Sequence, residues 1–241
     1  MLKAAPHVRS VFTRALSPWA FAVVAALAAT QAFAGIYSEA GDAGQTQGTA
    51  QNTTGVAAPL TDIFGTLSSG TDADLFLIYI ANPALFSAST NNSNSGLVDT
   101  HLFLLTLAGV PVYINDNANG ATVLSTLPAG SAFGPSTAGY YLLGVATAGY
   151  NPININAQLL FAPGGTSTDV RGPAPLISPA VLGGFSGSPF DLGADSYDIR
   201  LSGVGLSVPE PSSGLLAALA AVFCALTALP RRSRAPWART G

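Results

Sequence analysis

Short apolar runs, each closed by turn residues, recur along the middle of the chain. They are rich in Leu, Ile, Phe and Tyr and are bounded by Gly, Pro, Asn, Asp or Ser, and no window of a dozen residues repeats with a 3.6-residue period. Short runs at turn-delimited spacing are typical of strands in an all-β sandwich. The pattern predicts seven strands, over residues 61–67, 74–80, 100–107, 111–115, 139–147, 153–161 and 197–203.

Two of these runs also predict which side of the strand is covered. The run 74–80, DLFLIYI, is apolar on both faces, as in a central strand covered on each side. The run from Tyr197 to Leu201 alternates, so Tyr197, Ile199 and Leu201 should point inward. Asp198 and Arg200 should then point outward, on a half-exposed strand.

Two segments lack this periodicity. Residues 35–60 are rich in Gly, Ala, Thr and Gln, which predicts a flexible linker or at most one irregular strand. Residues 163–195 form a 33-residue connection rich in Gly, Pro and Ser. That is long for a loop, so we expect a functional loop or a mobile insert. Its portion 175–185 is apolar enough to pack down on a sheet.

The amino-terminal residues have the order of a secretory signal. Three basic residues, Lys3, Arg9 and Arg14, precede an apolar segment around residues 19–29, and Ala32-Phe33-Ala34 follows. Small residues flanking a larger one are the pattern that signal peptidase cleaves. We expect residues 1–34 to be a signal peptide, cut between Ala34 and Gly35; the alternative is an uncleaved anchor.

The carboxyl-terminal residues form a second apolar segment with a basic flank. The 16 residues 214–229 carry no charge, slightly fewer than the ~17–25 of a normal spanning helix. Arg231, Arg232 and Arg234 follow, and such a cluster holds its end of a helix in the cytoplasm. Residues 235–241 would then be a cytoplasmic tail and the body would lie outside, in agreement with the signal peptide.

The four residues Val208-Pro209-Glu210-Pro211 precede this segment. Prolines keep the chain extended there, because they lack an N–H and fix φ. With the apolar run and the arginines, residues 208–234 resemble the PEP-CTERM sorting signal of Gram-negative bacteria. The resemblance implies processing by a membrane-embedded exosortase. It also implies an exported protein, anchored in the inner membrane in transit and then placed at the cell surface or in the extracellular matrix. The alternative is an ordinary tail anchor after a Pro-rich hinge.

Charge and cysteine content narrow the function classes. Only 9% of residues are charged, and residues 35–208 hold two arginines against eleven acids. Such an acidic body repels phosphate backbones, so we expect no nucleic-acid partner. The single cysteine, Cys224, lies in the apolar run, so the body has neither an internal disulfide nor a cysteine metal site.

Four motifs follow one another in the body: Asp72-Ala73-Asp74-Leu75-Phe76, Asp99-Thr100-His101-Leu102, Asn115-Asp116-Asn117 and Gly139-Tyr140-Tyr141-Leu142. Their order resembles the bacterial pre-peptidase C-terminal (PPC) domain, over roughly residues 61–202. The resemblance implies a small jelly-roll-like β-sandwich, which we expect to span 61–207. Two departures weaken it: the turn at 115–117 has one acid where the family often has more, and the 163–195 connection is not a family landmark.

Calcium is the sharpest chemical hypothesis. The ion takes six to eight oxygen ligands from carboxylates, amides and carbonyls. The PPC resemblance places suitable side chains on neighbouring strand ends and turns, and related collagen-binding modules bind calcium there. The candidate ligands are Asp72, Asp74, Asp99, Asn115, Asp116 and Asn117. The competing interpretation is that these residues are turn formers, because Asp and Asn side chains bond to nearby backbone.

The parts of a familiar active site are missing from the sequence. His101 is the body's single histidine, in the middle of a predicted strand, and neither a G-x-S-x-G elbow, a P-loop nor an H-E-x-x-H motif occurs. We therefore expect a non-catalytic envelope or matrix module that binds exopolysaccharide or envelope proteins. Tyr113 or Tyr150 could stack on sugars, although packing in the core or in turns explains these tyrosines equally well. A simpler interpretation is a domain that merely spaces or decorates the cell surface. The alternative from another class is a secreted hydrolase with an unrecognised active site.

Overall fold

The computed structural model describes residues 34–56, 58–90, 99–190 and 193–206. Within these ranges the backbone forms strands and one short 3₁₀ helix, Pro83–Leu85. The strands are β1 (Gly35–Ser38), β2 (Gln51–Asn52), β3 (Leu60–Leu67), β4 (Ala73–Ile80), β5 (Ser87–Ser89), β6 (Thr100–Thr106), β7 (Pro111–Asn115), β8 (Thr126–Leu127), β9 (Gly139–Thr147), β10 (Tyr150–Ile153), β11 (Gly184–Gly187) and β12 (Asp195–Ser202).

The strands form two five-stranded sheets and a separate hairpin. One sheet, here sheet A, has the order β1-β3-β12-β5-β8, and the other, sheet B, has the order β2-β4-β9-β6-β7. Eight of these strands (β3 to β9 and β12) make only antiparallel pairs with one another. Numbered one to eight along the chain, they stand in the orders 1-8-3-6 and 2-7-4-5. This is the double-sheet arrangement of a jelly roll.

Sheet B is covered on both faces, which confirms the prediction for DLFLIYI. One side of β4 packs Phe76, Ile78 and Ile80 into the core between the sheets. The other side packs Ala73 and Leu75 into a second cluster, together with Leu182 and Phe185 of the long connection. The expectation that residues 175–185 pack down on a sheet is therefore confirmed.

Six of the seven predicted strands are present, but the predicted strand 153–161 is wrong. Only Ile153 of the run 153–161 belongs to a strand. The side-chain oxygen of Asn154 accepts hydrogen bonds from the backbone N–H groups of Asn156 and Gln158, both at 2.9 Å, and Ala157 has a φ of 56°. An asparagine that bonds to the backbone two and four residues ahead closes a turn, so the apolar residues on either side do not share a strand.

The flexible linker expected over 35–60 is also corrected. Strand β1 pairs in parallel with β3, and β2 pairs in parallel with β4, so this segment extends both sheets. The Gln51 side chain bonds to both the N–H and the carbonyl of Ala40. Backbone pairing and side-chain amides hold the segment in place, and neither produces an apolar repeat in the sequence.

Strand β12 follows the predicted alternation with one exception. Tyr197, Ile199 and Leu201 are buried, and Arg200 is exposed. Asp198, expected on a half-exposed face, is only 1% accessible.

The described ranges contain no helix with the length and apolar character of a membrane span. The predicted C-terminal segment 214–229 and the predicted signal peptide up to Phe33 lie outside those ranges.

Candidate metal centre

Asp74 lies inside the sandwich, on the face of β4 that points toward sheet A. It is 0% exposed, and its Oδ2 accepts a 2.6 Å hydrogen bond from the hydroxyl of Tyr197 on β12. Its Oδ1 is buried with no hydrogen-bond partner among the described residues. Burial raises the pKa of Asp74 to about 8; the Tyr197 hydrogen bond opposes this shift, and the carboxylates of Glu39, Asp72 and Asp42 add to it. This carboxyl group therefore lacks a compensating positive charge.

Two acids from the segment after β1 complete the cluster. One oxygen each of Glu39, Asp42 and Asp74 lies within 4.8 Å of the other two. Glu39 is fixed by the backbone, because its Oε1 accepts the N–H of Ala43 and its Oε2 the N–H of Thr66, both at 2.8 Å. Burial also raises the pKa of Glu39, while these two hydrogen bonds oppose the shift. The geometry brings three carboxylates to one point, an arrangement suited to a hard cation such as calcium.

Asp72 has a different role. Its Oδ2 accepts the N–H of Ser68 at 2.6 Å and its Oδ1 the N–H of Ala73 at 2.8 Å. Both oxygens are thus used in closing the β3–β4 turn, as the turn interpretation expects. Asp72 contributes to the centre through its charge, which raises the pKa of Asp74.

The remaining candidate ligands form a second group at the same end of the molecule. The starts of β4 and β6 both pair with the end of β9, because Ala73 faces Ala146 and Thr100 faces Thr147. Since β9 lies between them, β4 and β6 are separated by two strand spacings, roughly 10 Å. The structure therefore divides the six predicted ligands into two groups.

Within this second group, Asn115 is occupied by structural bonds. Its Oδ1 accepts the N–H of Thr126 at 2.9 Å, and its Nδ2 donates to the carbonyls of Thr168 and Asp169. These bonds fasten β7 to β8 and to the long connection. Asn115 thus has a structural role, but its partners are distant in sequence, so it does not act as a turn former.

Asp116 and Asn117 are less satisfied. An oxygen of each is buried without a hydrogen-bond partner among the described residues. Burial, and then the charge of Asp99, raise the pKa of Asp116 to about 6, and Arg171 opposes this. Asn117 also lines a surface pocket of about 510 Å³. Among the described acids, histidines and cysteines, only Glu39, Asp42 and Asp74 meet as a group of three, so we place the candidate metal centre there.

His101 is buried, and neither of its ring nitrogens has a hydrogen-bond partner among the described residues. Burial, with a smaller contribution from Arg171, lowers the pKa of His101 to about 3. Since neither ring nitrogen bonds to a described hydroxyl or carboxylate, His101 does not form a nucleophile–base pair with the described residues.

The two tyrosines considered for sugar stacking are not free. Tyr113 is 0% exposed, in the core between the sheets, which excludes sugar stacking there and confirms the alternative of core packing. Tyr150 stacks on Phe185 with ring centroids 5.5 Å apart. Among the described residues, the exposed aromatic side chains are instead Phe133, Tyr140 and Phe190.

Comparisons with known proteins do not assign the chain to a family: no family model matches the chain, and no curated protein matches its sequence.

Proposed function

We propose that this chain is an exported, non-catalytic jelly-roll module whose fold is stabilised by one calcium ion bound at Glu39, Asp42 and Asp74. The observation that carries the proposal is the convergence of these three carboxylates on a buried group, Asp74, one of whose oxygens has no donor among the described residues. Like charges at this separation repel unless a cation or a proton lies among them.

The position of the ion would explain why it stabilises the whole fold. Glu39 follows β1 of sheet A, Asp74 belongs to β4 of sheet B, and Tyr197 of β12 bonds to Asp74 across the core. A cation at this point ties both sheets and the amino-terminal segment together. Because the unfolded chain would not hold the site, binding free energy becomes folding free energy.

The proposed location and processing partners of the protein rest on its two terminal segments. The PEP-CTERM-like residues 208–234 and the signal-like residues 1–34 support export, with signal peptidase and an exosortase as processing partners. The place of action is then the Gram-negative cell envelope or its extracellular matrix. There we propose that the module binds or spaces exopolysaccharide or envelope proteins.

Thermal unfolding of the protein with calcium or with EGTA tests the ion. We expect calcium at a hundred times its dissociation constant to raise the midpoint by roughly 5–10 °C. The effect should vanish in Asp42→Asn and persist in Asp195→Asn, an acid at the same end of β3 and β12. Equal midpoints with and without calcium would remove the ion from the proposal. Loss of the effect only in Asp116→Asn would move the ion to the second group.

Cell fractionation tests the sorting. In a host with an exosortase, we expect Pro209→Ala combined with Pro211→Ala to accumulate as a precursor in the inner membrane. Ser212→Ala, a neighbouring change that spares the motif, should be processed normally. Normal processing of the double proline variant would leave an ordinary tail anchor as the better explanation.

A further inference from the structure

The chain leaves the sandwich at the end opposite the acids. After β12, Val204 bridges Ile80 and the N–H of Gly205 donates to the carbonyl of Tyr79, so residue 206 lies beside the last residues of β4. The chain enters at this end too. Gly35 faces Leu60 at the start of β3, and β3 begins where β12 ends, because Asp62 faces Arg200.

This end carries exposed apolar side chains, which we call the exit surface. It consists of Leu85, Leu107, Tyr140 and Leu206, exposed by 59%, 55%, 42% and 38%. Two contacts attach members of this surface to neighbouring strands. The Ser202 hydroxyl donates to the Leu85 carbonyl at 2.6 Å, and Tyr140 packs edge-on against Tyr79 with centroids 5.2 Å apart. Leu107 and Tyr140 border a common hollow of about 270 Å³.

The two ends of the sandwich differ in charge. None of the eight residues that line the hollow at the exit surface is charged. Asp62 and Arg200, toward the same end on sheet A, offset each other at 3.5 Å. The acids Asp72, Asp99, Asp116 and Asp195 lie at or before the starts of β4, β6 and β12 or after β7, at the far end, where Arg171 is the one described cation. An anionic lipid surface would therefore repel the far end and tolerate the exit surface.

The length of chain beyond the described residues brings a membrane close to this end. The uncharged run begins at Gly214, eight residues after Leu206. Eight extended residues reach at most about 29 Å. If the run is inserted in a bilayer, the exit surface lies within that distance of the lipid headgroups. Tyrosine and leucine are side chains that the membrane–water interface accommodates well.

We propose that the exit surface rests on the outer surface of the lipid bilayer while residues 214–229 remain inserted. This inference builds on the proposed anchoring of the precursor and adds an orientation: the acidic end and its metal centre point away from the membrane.

A fluorescent label placed at one of two positions on the full chain tests the orientation. Cys224→Ser removes the native thiol, and a single cysteine is then placed by Ala138→Cys at the hollow or by Ala121→Cys at the acidic end. Both alanines are exposed. Each labelled chain is reconstituted in vesicles of phosphatidylethanolamine and phosphatidylglycerol, and quenching by aqueous iodide is measured. We expect a label at position 138 to lose quenching relative to detergent, and a label at position 121 to keep it.

Flotation and one further variant separate the possible failures. A chain that does not float with vesicles would overturn both the anchoring and the docking. A chain that floats with position 138 quenched as strongly as position 121 would overturn the docking alone. Protection of position 138 that vanishes when the chain is diluted in excess lipid would assign the surface to contact with a second copy. Protection that appears only when exosortase is present would assign it to contact with that enzyme. Leu107→Glu should restore quenching at position 138 without changing flotation.

Discussion

At the scale of single residues, the Tyr197–Asp74 hydrogen bond joins the two sheets at a buried carboxyl group. Tyr197→Phe removes the donor and leaves both oxygens of Asp74 without one. Leaving a buried acceptor without a donor lowers the free energy of unfolding by about 1–3 kcal/mol. We therefore expect a lower urea midpoint when calcium is absent. Tyr140→Phe, at an exposed tyrosine, is the matched control and should not move the midpoint. Equal midpoints for Tyr197→Phe and the unmodified protein would mean that the bond adds nothing to stability.

His101 predicts an acid sensitivity of the fold. Its pKa is about 3 in the folded protein, below the ordinary 6.5. The unfolded chain therefore binds a proton first, and stability present above pH 6.5 is lost as pH falls toward 3. By linkage, the loss between pH 7 and pH 5 is about 2 kcal/mol.

Urea unfolding of His101→Leu at these two pH values measures the effect, because other titrating groups are common to both proteins. The advantage of the unmodified protein over the variant should shrink by about 2 kcal/mol from pH 7 to pH 5. A difference that stays constant with pH would show that His101 is not held neutral by the fold.

The sequence identified only part of the candidate centre. Asp74 was found because it begins a strongly apolar strand and belongs to a quoted motif. Glu39 and Asp42 were missed, because they lie between β1 and β2 in a segment without periodicity. Only long-range pairing with β3 and the N–H of Thr66 brings Glu39 to Asp74, and spacing along one chain carries no signal for that.

At the scale of elements, strands were predictable where burial repeats along the chain. Strands β4, β6 and β9 are apolar on both faces because the long connection covers one side and sheet A the other. The short strands β2, β5 and β8 were missed, since two or three residues cannot show a period. Asn154 illustrates the converse: one amide side chain turned an apolar run into a turn.

The long connection should contribute to stability through its packed residues alone. Leu182 is buried against the outer face of sheet B, whereas Leu176 is fully exposed. We expect Leu182→Ala to cost about 2–5 kcal/mol and to speed proteolysis of residues 163–190, and Leu176→Ala to be neutral. Urea unfolding and limited proteolysis measure both. Equal effects of the two variants would mean that the connection does not pack on the sheet in solution.

At the scale of the whole molecule, the sandwich is polarised. Its two chain exits and the exit surface lie at one end, and both groups of candidate metal ligands lie at the other. Jelly-roll topology produces this polarity, because the first and last of its eight strands are neighbours in one sheet and run antiparallel. Consequently, the described chain enters at Gly35 and leaves at Leu206 on the same side of the sandwich.

The same topology predicts that the residues after Leu206 can be removed without disturbing the fold. Val204 is the last buried apolar residue of the described chain, and the Gly205 N–H makes its last backbone hydrogen bond, to Tyr79. Ending the protein at Ser207 should therefore leave the calorimetric midpoint unchanged. Ending it at Gly203 removes the Val204 side chain and the Gly205 bond, together worth roughly 2–4 kcal/mol. We expect a fall of several degrees in that case. If the Ser207 truncation also lowered the midpoint, the tail would be part of the folded unit, and a processing enzyme could not remove it without cost to the sandwich.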